Sequence, residues 1–209
     1  MTRIVLIRHG ETEWNALGLY QGQRNSPLTA EGRQQAQALA ERLRHTQLDA
    51  IYASDLERTQ ETAAPLIRAT DLELHIDSRL GERHYGIFQG LARDDVKAHH
   101  PEAHAAYLSG DPDYQIPEGE SSRQFYERVV ACLEELATRH ADGQIVVVTH
   151  GGTITMAIKY VLGLDLTPER RFVTANTSYN LISRQADGWM LHVLGDVSHL
   201  EADSRDDIV

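Results

Sequence analysis

The chain of 209 residues is long enough for one α/β domain with a buried core that needs neither disulfides nor metal ions to fold. Its formal net charge of -11 argues against nucleic acid as a partner, because most of the surface would repel a polyanion. Cys132 is the single cysteine, which excludes an intrachain disulfide. The sequence shows neither a secretion signal nor an apolar run of about 20 residues, so we expect a cytoplasmic protein without a membrane partner.

A buried strand followed by two reactive side chains opens the chain. Residues 4–7 are apolar and rich in β-branched side chains, which predicts a strand covered on both faces, and Arg8, His9 and Gly10 follow it. Ligands bind at the carboxyl edge of an open α/β sheet, and residues 11–15 predict a short helix whose amides face an anion. Arginine binds phosphate with a bidentate fork, and a neutral imidazole is a nucleophile. The pattern predicts phosphate beside a nucleophilic histidine, although an incidental polar end of a core strand is the alternative for three residues alone.

The next segments predict a βαβ unit, and therefore a parallel sheet. Thr29 caps a helix whose apolar spacing reaches Leu43, and residues 48–53 predict a second strand. We expect the two strands to share the edge that carries His9.

A second cationic side chain is predicted at the same edge. Ser54 and Glu57 have the spacing of a capping box, so Arg58 falls in the first turn of a helix that ends near Thr70. Arg58 is therefore a candidate second phosphate ligand, and a surface arginine is the alternative.

The middle of the chain predicts loops and a helical insertion. Residues 72–76 predict a strand, and the glycine-rich loop that follows contains Glu82, which the residue pattern alone does not distinguish from the other acidic residues. A weakly helical stretch at about 91–120 predicts a cap over the pocket. His100 and His104 have the spacing of a helical metal pair, but no third ligand is evident, so solvated histidines, including His99, are favoured and no metal is predicted.

A second histidine follows the strongest strand signal. Residues 145–148 are all β-branched, and His150, Gly151 and a helix from about Thr153 to Leu162 come next. This repeats the arrangement at the start of the chain and brings His150 to the same sheet edge, with a helix N-terminus that adds donors for an anion.

The remaining segments complete the sheet. Ser121 or Ser122 caps a helix before residue 144, and residues 178–184 and 189–193 predict a β-hairpin. The acidic stretch 201–207 predicts a solvated tail. Phe172 and Val173 belong to the core or to an interface, and a homodimer is left open.

These motifs together resemble the histidine phosphatase superfamily, the phosphoglycerate mutase-like proteins. The residues that carry the resemblance are, in chain order, Arg8-His9-Gly10, Asn15, Gln21-Gly22, Arg58, Glu82 and His150-Gly151. The resemblance covers nearly the whole chain as a single domain, 1–209. It implies an α/β fold, a three-layer α/β/α sandwich with a mixed, mainly parallel sheet and a small helical cap insertion, and catalysis through a phosphohistidine without a metal or another cofactor.

The resemblance also assigns roles by position. His9 is the nucleophile, and Glu82 protonates the leaving oxygen and then deprotonates water. Arg8, Arg58 and His150 act in catalysis and hold the phosphate oxygens. The further residues expected to bind the substrate phosphate are Asn15, Gln21, Gly22 and Gly151.

Within the superfamily the chain is similar to two kinds of enzyme. Residues 80–91 look like the loop of phosphoglycerate mutases, which would use 2,3-bisphosphoglycerate as a cofactor. The cap lacks the adjacent arginine pair of those mutases, and residues 117–121 resemble the broad-specificity phosphatases. We therefore expect a phosphomonoesterase for small phosphorylated metabolites. The alternatives are the mutase, an α-ribazole phosphatase, a phosphoserine phosphatase and an inactive phosphate-binding protein. No role is indicated for His84.

Overall fold

The structure, a computed structural model, describes residues 1–166 and 172–200. The strands are β1 (Thr2–Arg8), β2 (Ala50–Ala53), β3 (Leu74–Ile76), β4 (Gln144–Thr149), β5 (Tyr179–Gln185) and β6 (Gly188–Asp196). The helices are α1 (Glu13–Ala16), α2 (Ala30–Leu43), α3 (Glu57–Thr70), α4 (Arg93–His99), α5 (Pro101–Leu108), α6 (Ser122–Arg139) and α7 (Gly151–Leu162). The predicted acidic tail at 201–207 lies outside the described residues.

The strands form one mixed sheet in the order β3-β2-β4-β1-β5-β6. The first four of these strands run parallel, β5 is antiparallel to β1, and β6 is antiparallel to β5. Strand β4 lies between β1 and β2, with Val147 opposite Leu6 and Ile145 opposite Ala50. The carboxyl ends of β1, β4 and β2 therefore meet at one edge of the sheet, which confirms the predicted mixed, mainly parallel arrangement.

Helices cover the sheet on both faces because side chains along a strand alternate between faces. Ile4 and Leu6 of β1 belong to the core cluster that includes α6 and α7, whereas Val5 and Ile7 belong to the cluster that includes α2 and α3. Burial of each of these aliphatic side chains stabilises the fold by about 1.5–3 kcal/mol. The predicted three-layer α/β/α architecture is confirmed.

Two helices, α2 and α6, begin with the side-chain cap that the sequence predicts. The Thr29 side chain accepts a hydrogen bond from the Gly32 N–H at the start of α2, as predicted. Ser121, rather than Ser122, caps α6 and forms a capping box with Gln124. Helix α7 starts at Gly151, two residues before the predicted start.

The predicted capping box at the start of α3 is wrong. The residue that precedes this helix is Leu56, which has an extended backbone and no side-chain cap. The Ser54 hydroxyl lies instead 2.9 Å from Thr59 Oγ1 and 2.8 Å from Nε2 of His150, the residue that follows β4. The Ser54 side chain therefore contacts a residue after the neighbouring strand instead of capping α3.

The cap region contains α4 and α5 and joins the rest of the chain through an aromatic cluster. Tyr20, Phe88, Val96 and Ile116 form its buried centre. Tyr20 comes from the loop after α1, so the cap packs directly on the segment that follows the first strand.

Phe172 packs against the core on the α6 and α7 side of the sheet, whereas Val173 is 54% exposed. None of the helices in the described ranges combines the length and apolar character needed to cross a bilayer.

Candidate active site

The fold brings the sequence-predicted residues to the carboxyl edge of the sheet, around one cavity of about 390 Å³. Of these residues, the cavity is lined by Arg8, His9, Asn15, Gln21, Gly22, Arg58, Glu82 and Gly151. His150 is fully buried and contacts the cavity-lining His9, with ring centroids 5.2 Å apart. The cavity is larger than a phosphate group requires and falls in the range of small-molecule sites.

His9 is held in one tautomer by the backbone. Its Nδ1 lies 2.7 Å from the Gly10 carbonyl oxygen. Because a carbonyl only accepts hydrogen bonds, Nδ1 carries the proton and Nε2 carries the lone pair. Burial, with Arg58 and Arg8 nearby, lowers the pKa of His9 well below 6.5, so the ring is neutral at physiological pH. The imidazole is therefore prepared for nucleophilic attack through Nε2.

Two buried guanidinium groups lie beside His9. Arg58 is 1% exposed and donates to the carbonyl oxygens of Gly22 at 2.7 Å and Arg24 at 2.8 Å. Burial lowers the pKa of Arg58 to about 10, so it remains a cation at neutral pH. Within the described residues its Nε has no hydrogen-bond partner. Arg8 donates to the Thr174 carbonyl oxygen at 2.9 Å. The buried Arg58 cation, with its Nε unpaired among the described residues, favours an anionic ligand.

His150 is supported by a hydroxyl group rather than a carbonyl. Its Nε2 lies 2.8 Å from Ser54 Oγ, and its buried Nδ1 has no hydrogen-bond partner in the part of the chain that the structure describes. Burial, followed by the charge of Arg58, lowers the pKa of His150 well below 6.5. The sequence reasoning missed Ser54 as a site residue. The signal available was its position directly after β2, at the same edge as His9.

Glu82 lies in the loop after β3 and is anchored by two backbone amides. Oε1 accepts from the Arg83 N–H at 2.7 Å, and Oε2 accepts from the Gly152 N–H at 3.0 Å. A Cβ at Gly152 would lie 2.1 Å from Glu82 Oε1, so only glycine permits this approach. The first turn of α7 thus directs the Gly152 donor to Glu82 rather than to a bound anion.

The segment after β1 forms a second hydrogen-bonded group around Thr12. Asn15 Oδ1 accepts from the Thr12 N–H and hydroxyl, which leaves the amide nitrogen of Asn15 as its donor for a ligand. Gln21 lines the cavity, but its amide nitrogen donates to Thr12 Oγ1 at 2.6 Å. The carbonyl of Gly22 holds Arg58. The structure therefore places Gln21 and Gly22 as supports of neighbouring site residues.

The outer wall of the cavity combines aromatic rings and cations. It includes Tyr20, Arg83, Tyr85, Arg93, Tyr107 and Lys159. The Arg83 guanidinium lies 5.4 Å from the centroid of the Tyr107 ring. Burial raises the pKa of Tyr20 to about 12, so its hydroxyl is neutral. The positive charge of this wall, in a chain with a net charge of -11, favours anionic ligands.

The histidines of the cap do not line this cavity. His99 is exposed, as predicted, and contacts the Asp95 carbonyl. The prediction of a solvated side chain is wrong for His104, which is buried in the cap. The Nδ1 of His84 accepts from the Gly86 N–H at 3.1 Å and supports the local turn. Across residues 1–166 and 172–200, no group of three or more His, Cys, Asp or Glu side chains could hold a metal ion.

Comparisons with known proteins find relatives in both sequence and fold. The family described as histidine phosphatase superfamily (branch 1) matches residues 4–197. The probable phosphoglycerate mutase GpmB of Escherichia coli is 35% identical over all of this chain and 99% of that protein. The α-ribazole phosphatase of Shigella flexneri is 31% identical with a TM-score of 0.84, covering 93% of this chain and 96% of that chain. A mutant phosphoserine phosphatase of Entamoeba histolytica, in complex with phosphoserine, is 30% identical with a TM-score of 0.86. The match covers 96% of this chain and 100% of that chain.

Proposed function

Since the chain belongs to the histidine phosphatase superfamily, we propose that it is a metal-independent phosphomonoesterase that acts on small phosphorylated metabolites through a phosphohistidine at His9. The observation that carries this proposal is the state of the His9 ring, which lies near the two buried arginines Arg8 and Arg58. Its Nδ1 donates a proton to the backbone carbonyl of Gly10. This arrangement leaves Nε2 unprotonated where a phosphate would bind.

In the first half-reaction, Nε2 of His9 attacks phosphorus and the bond to the leaving oxygen breaks. Arg8 and Arg58 hold the nonbridging oxygens, with the Asn15 amide and the buried His150 ring as further ligands. Negative charge shifts over these oxygens in the transition state, so fixed cations and donors lower the barrier. The products are phosphohistidine and an alcohol.

Glu82 carries the proton in both halves of the reaction. Protonated Glu82 gives its proton to the leaving oxygen, and the resulting carboxylate then takes a proton from the water that attacks the phosphohistidine. Inorganic phosphate and neutral His9 are regenerated. The two backbone donors to Glu82 fix its direction relative to the cavity that His9 lines.

A small phosphorylated metabolite is the only partner in this proposal, and no resident cofactor is required. In this proposal Gln21 supports Thr12, Gly22 supports Arg58, and Gly151 lines the cavity. The protein is proposed to act in the cytoplasm.

A mutase dependent on 2,3-bisphosphoglycerate is the second candidate. The observation that favours it is the similarity to GpmB over the full chain, together with the cationic outer wall of the cavity. A mutase must retain the acid product while the phosphoryl group returns to it, whereas a phosphatase must admit water. Arg93 is exposed and does not form the adjacent arginine pair expected of such a mutase.

The two candidates are separated by measuring both reactions in the presence of a chelator. Phosphate release is followed from p-nitrophenyl phosphate and from 3-phosphoglycerate, and formation of 2-phosphoglycerate is measured with and without 2,3-bisphosphoglycerate. The His9→Ala protein is the control. Phosphate release that disappears in this control, with negligible isomerisation, supports the phosphatase. Isomerisation that exceeds hydrolysis and depends on 2,3-bisphosphoglycerate would establish the mutase instead.

A further inference from the structure

The peptide group between His9 and Gly10 is held by side chains from two separate elements. The Gly10 N–H donates to Thr62 Oγ1 on α3 at 2.9 Å. The His9 carbonyl oxygen accepts from Asn176 Nδ2, in the segment before β5, at 2.9 Å. Thr62 is fully buried and Asn176 is 2% exposed. Both polar groups of one peptide unit are therefore bound by buried side chains.

The backbone partner fixes the direction of each bond, because an N–H group only donates and a carbonyl only accepts. Thr62 Oγ1 donates its own proton to the Arg58 carbonyl at 2.6 Å, so toward Gly10 it can only accept. Next to Asn176, the Thr177 N–H donates to the carbonyls of Arg8 at 3.0 Å and His9 at 3.3 Å. Thr177 has a φ of 53°, a backbone conformation rarely adopted by a β-branched residue. Such strain persists only where the surrounding contacts over-determine it.

This peptide group lies directly before the carbonyl that contacts the His9 imidazole. The Gly10 carbonyl oxygen accepts the proton of His9 Nδ1 and so selects the tautomer with a free Nε2. Gly10 is also confined on its other side, because a Cβ there would lie 2.5 Å from the Gly32 carbonyl oxygen. A displacement of the His9–Gly10 peptide that carries the Gly10 Cα with it would move the acceptor away from the imidazole.

We propose that Thr62 and Asn176 are positioning residues that clamp the His9–Gly10 peptide and thereby hold the nucleophile in its reactive tautomer. The proposal rests on the proposed function, in which Nε2 attacks phosphorus. Neither residue lines the cavity. Loss of the clamp therefore changes the rate of phosphoryl transfer and leaves the binding of phosphate intact.

The test uses Asn176→Ala and Thr62→Val in the full chain. Each variant is expected to lower kcat for p-nitrophenyl phosphate about tenfold, since a small misplacement of a reacting group is costly. The affinity for inorganic phosphate, measured by calorimetry, stays at the wild-type value. Nitrogen NMR of histidine-labelled protein shows part of the His9 population with its proton on Nε2, and the His9→Ala spectrum identifies the signal. Thr62→Ser keeps the hydroxyl and retains the wild-type rate.

Matched controls separate positioning from general destabilisation. Asn180 is a fully buried asparagine whose amide donates to the Leu6 carbonyl of β1 at 3.1 Å, away from His9. Thr70 donates to the Leu66 carbonyl in α3 at 2.8 Å. Asn180→Ala and Thr70→Val are expected to lose stability in urea but to keep kcat and the His9 tautomer.

The clamp is rejected if the kcat of Asn176→Ala and Thr62→Val matches that of their controls, or if the His9 tautomer is unchanged in both. Because the two residues hold one peptide, their effects in the double variant are expected to be less than multiplicative. If Asn176→Ala does not fold, Thr62→Val against Thr62→Ser decides. If the wild type releases no phosphate, the proposed function fails, while the tautomer in the variants still decides the clamp.

Discussion

The two histidines of the site occupy equivalent places in the fold but have different hydrogen-bond partners. His9 follows β1 and His150 follows β4, two neighbouring parallel strands. The Nδ1 of His9 contacts a carbonyl, which only accepts, so one tautomer is fixed. The Nε2 of His150 contacts the Ser54 hydroxyl, which can accept or donate. His150 can therefore present its Nδ1 to a ligand either with or without a proton.

This difference matches two chemical tasks. A nucleophile needs a lone pair at one defined atom, and a backbone carbonyl provides that without any side chain that could rotate away. A group that stabilises changing charge gains from a partner that allows its proton to move. The same strand-histidine-glycine pattern thus produces a fixed group and an adaptable one, and the neighbouring partner decides which.

The largest expected effect separates the nucleophile from its neighbour. His9→Ala removes the atom that we propose forms the covalent intermediate, so we expect phosphate release to fall at least about 10⁴-fold, with no phosphoenzyme detected by mass spectrometry. His150→Ala removes one ligand of the transferring group, and we expect a loss of about 10²-fold with the phosphoenzyme still formed. Equal losses, or a phosphoenzyme in His9→Ala, would contradict the assignment of different tasks.

The next effect concerns Glu82, whose carboxylate accepts a hydrogen bond from the Gly152 N–H in the helix that follows His150. In Glu82→Gln the amide cannot donate a proton as an acid or accept one as a base, so both half-reactions lose their proton transfer. p-Nitrophenolate leaves without protonation, whereas an alkoxide does not. We therefore expect a rapid release of one equivalent of p-nitrophenol from Glu82→Gln. The turnover that follows is expected to have a kcat about 10²–10⁴-fold below that of the wild type.

Glycerol phosphate provides the comparison for this variant. Its alkyl leaving group needs the acid in the first step, so no initial burst of glycerol is expected from Glu82→Gln. The assignment of Glu82 as the proton donor is contradicted if the variant hydrolyses the alkyl ester at the wild-type rate.

A smaller effect is expected from the partner that distinguishes His150. Ser54→Ala leaves Nε2 of His150 buried without a hydrogen bond, which costs about 1–3 kcal/mol of unfolding free energy. We expect kcat to fall about tenfold, because the ring is still present but no longer held. Ser26→Ala is the control, since Ser26 is a buried serine that accepts from the Trp14 N–H and does not line the cavity. A kcat for Ser54→Ala equal to that of Ser26→Ala would remove Ser54 from the site.

The sequence predicts the strands that carry the two histidines because their signals are local. The β-branched runs before Arg8 and before His150 report burial on both faces, and the glycines after each histidine report the end of the strand. The partners of the histidines are not local. Ser54 lies 96 positions from His150. Its spacing to Glu57 instead indicated a capping box, which the tertiary contact replaced.

The hydrogen-bond partners of the amide side chains are also distant in sequence or not indicated by their motif. Gln21 is expected to bind phosphate because of its place in the family motif, but the motif does not indicate that its amide nitrogen donates to Thr12. Asn176 lies 167 positions from His9, so no periodicity or spacing could have indicated their contact. Residue types and strand ends are readable from sequence, but the hydrogen-bond partner of each buried group depends on packing between distant segments.

The smallest expected effect is a pH dependence of stability that both histidines share. Burial lowers the pKa of each well below 6.5 in the folded state, so the unfolded chain binds more protons as the pH falls below 6.5. The free energy of unfolding therefore has its full value above this pH and decreases on acidification, by up to about 1.4 kcal/mol per pH unit for each histidine. His199, whose pKa burial lowers to about 4, adds a contribution of the same sign.

Urea unfolding between pH 7.5 and pH 5 measures this dependence. This pH range extends to both sides of the pKa of a histidine in an unfolded chain. His9→Gln and His150→Gln are each expected to reduce the slope by about one proton, and the double variant by about two, while His199 keeps part of it. The exposed His45→Gln serves as the control and leaves the slope unchanged. A slope that is undiminished in the double variant would mean that the two rings take up protons in the folded site, and His9 would then not be the neutral nucleophile that the comparison with His150 requires.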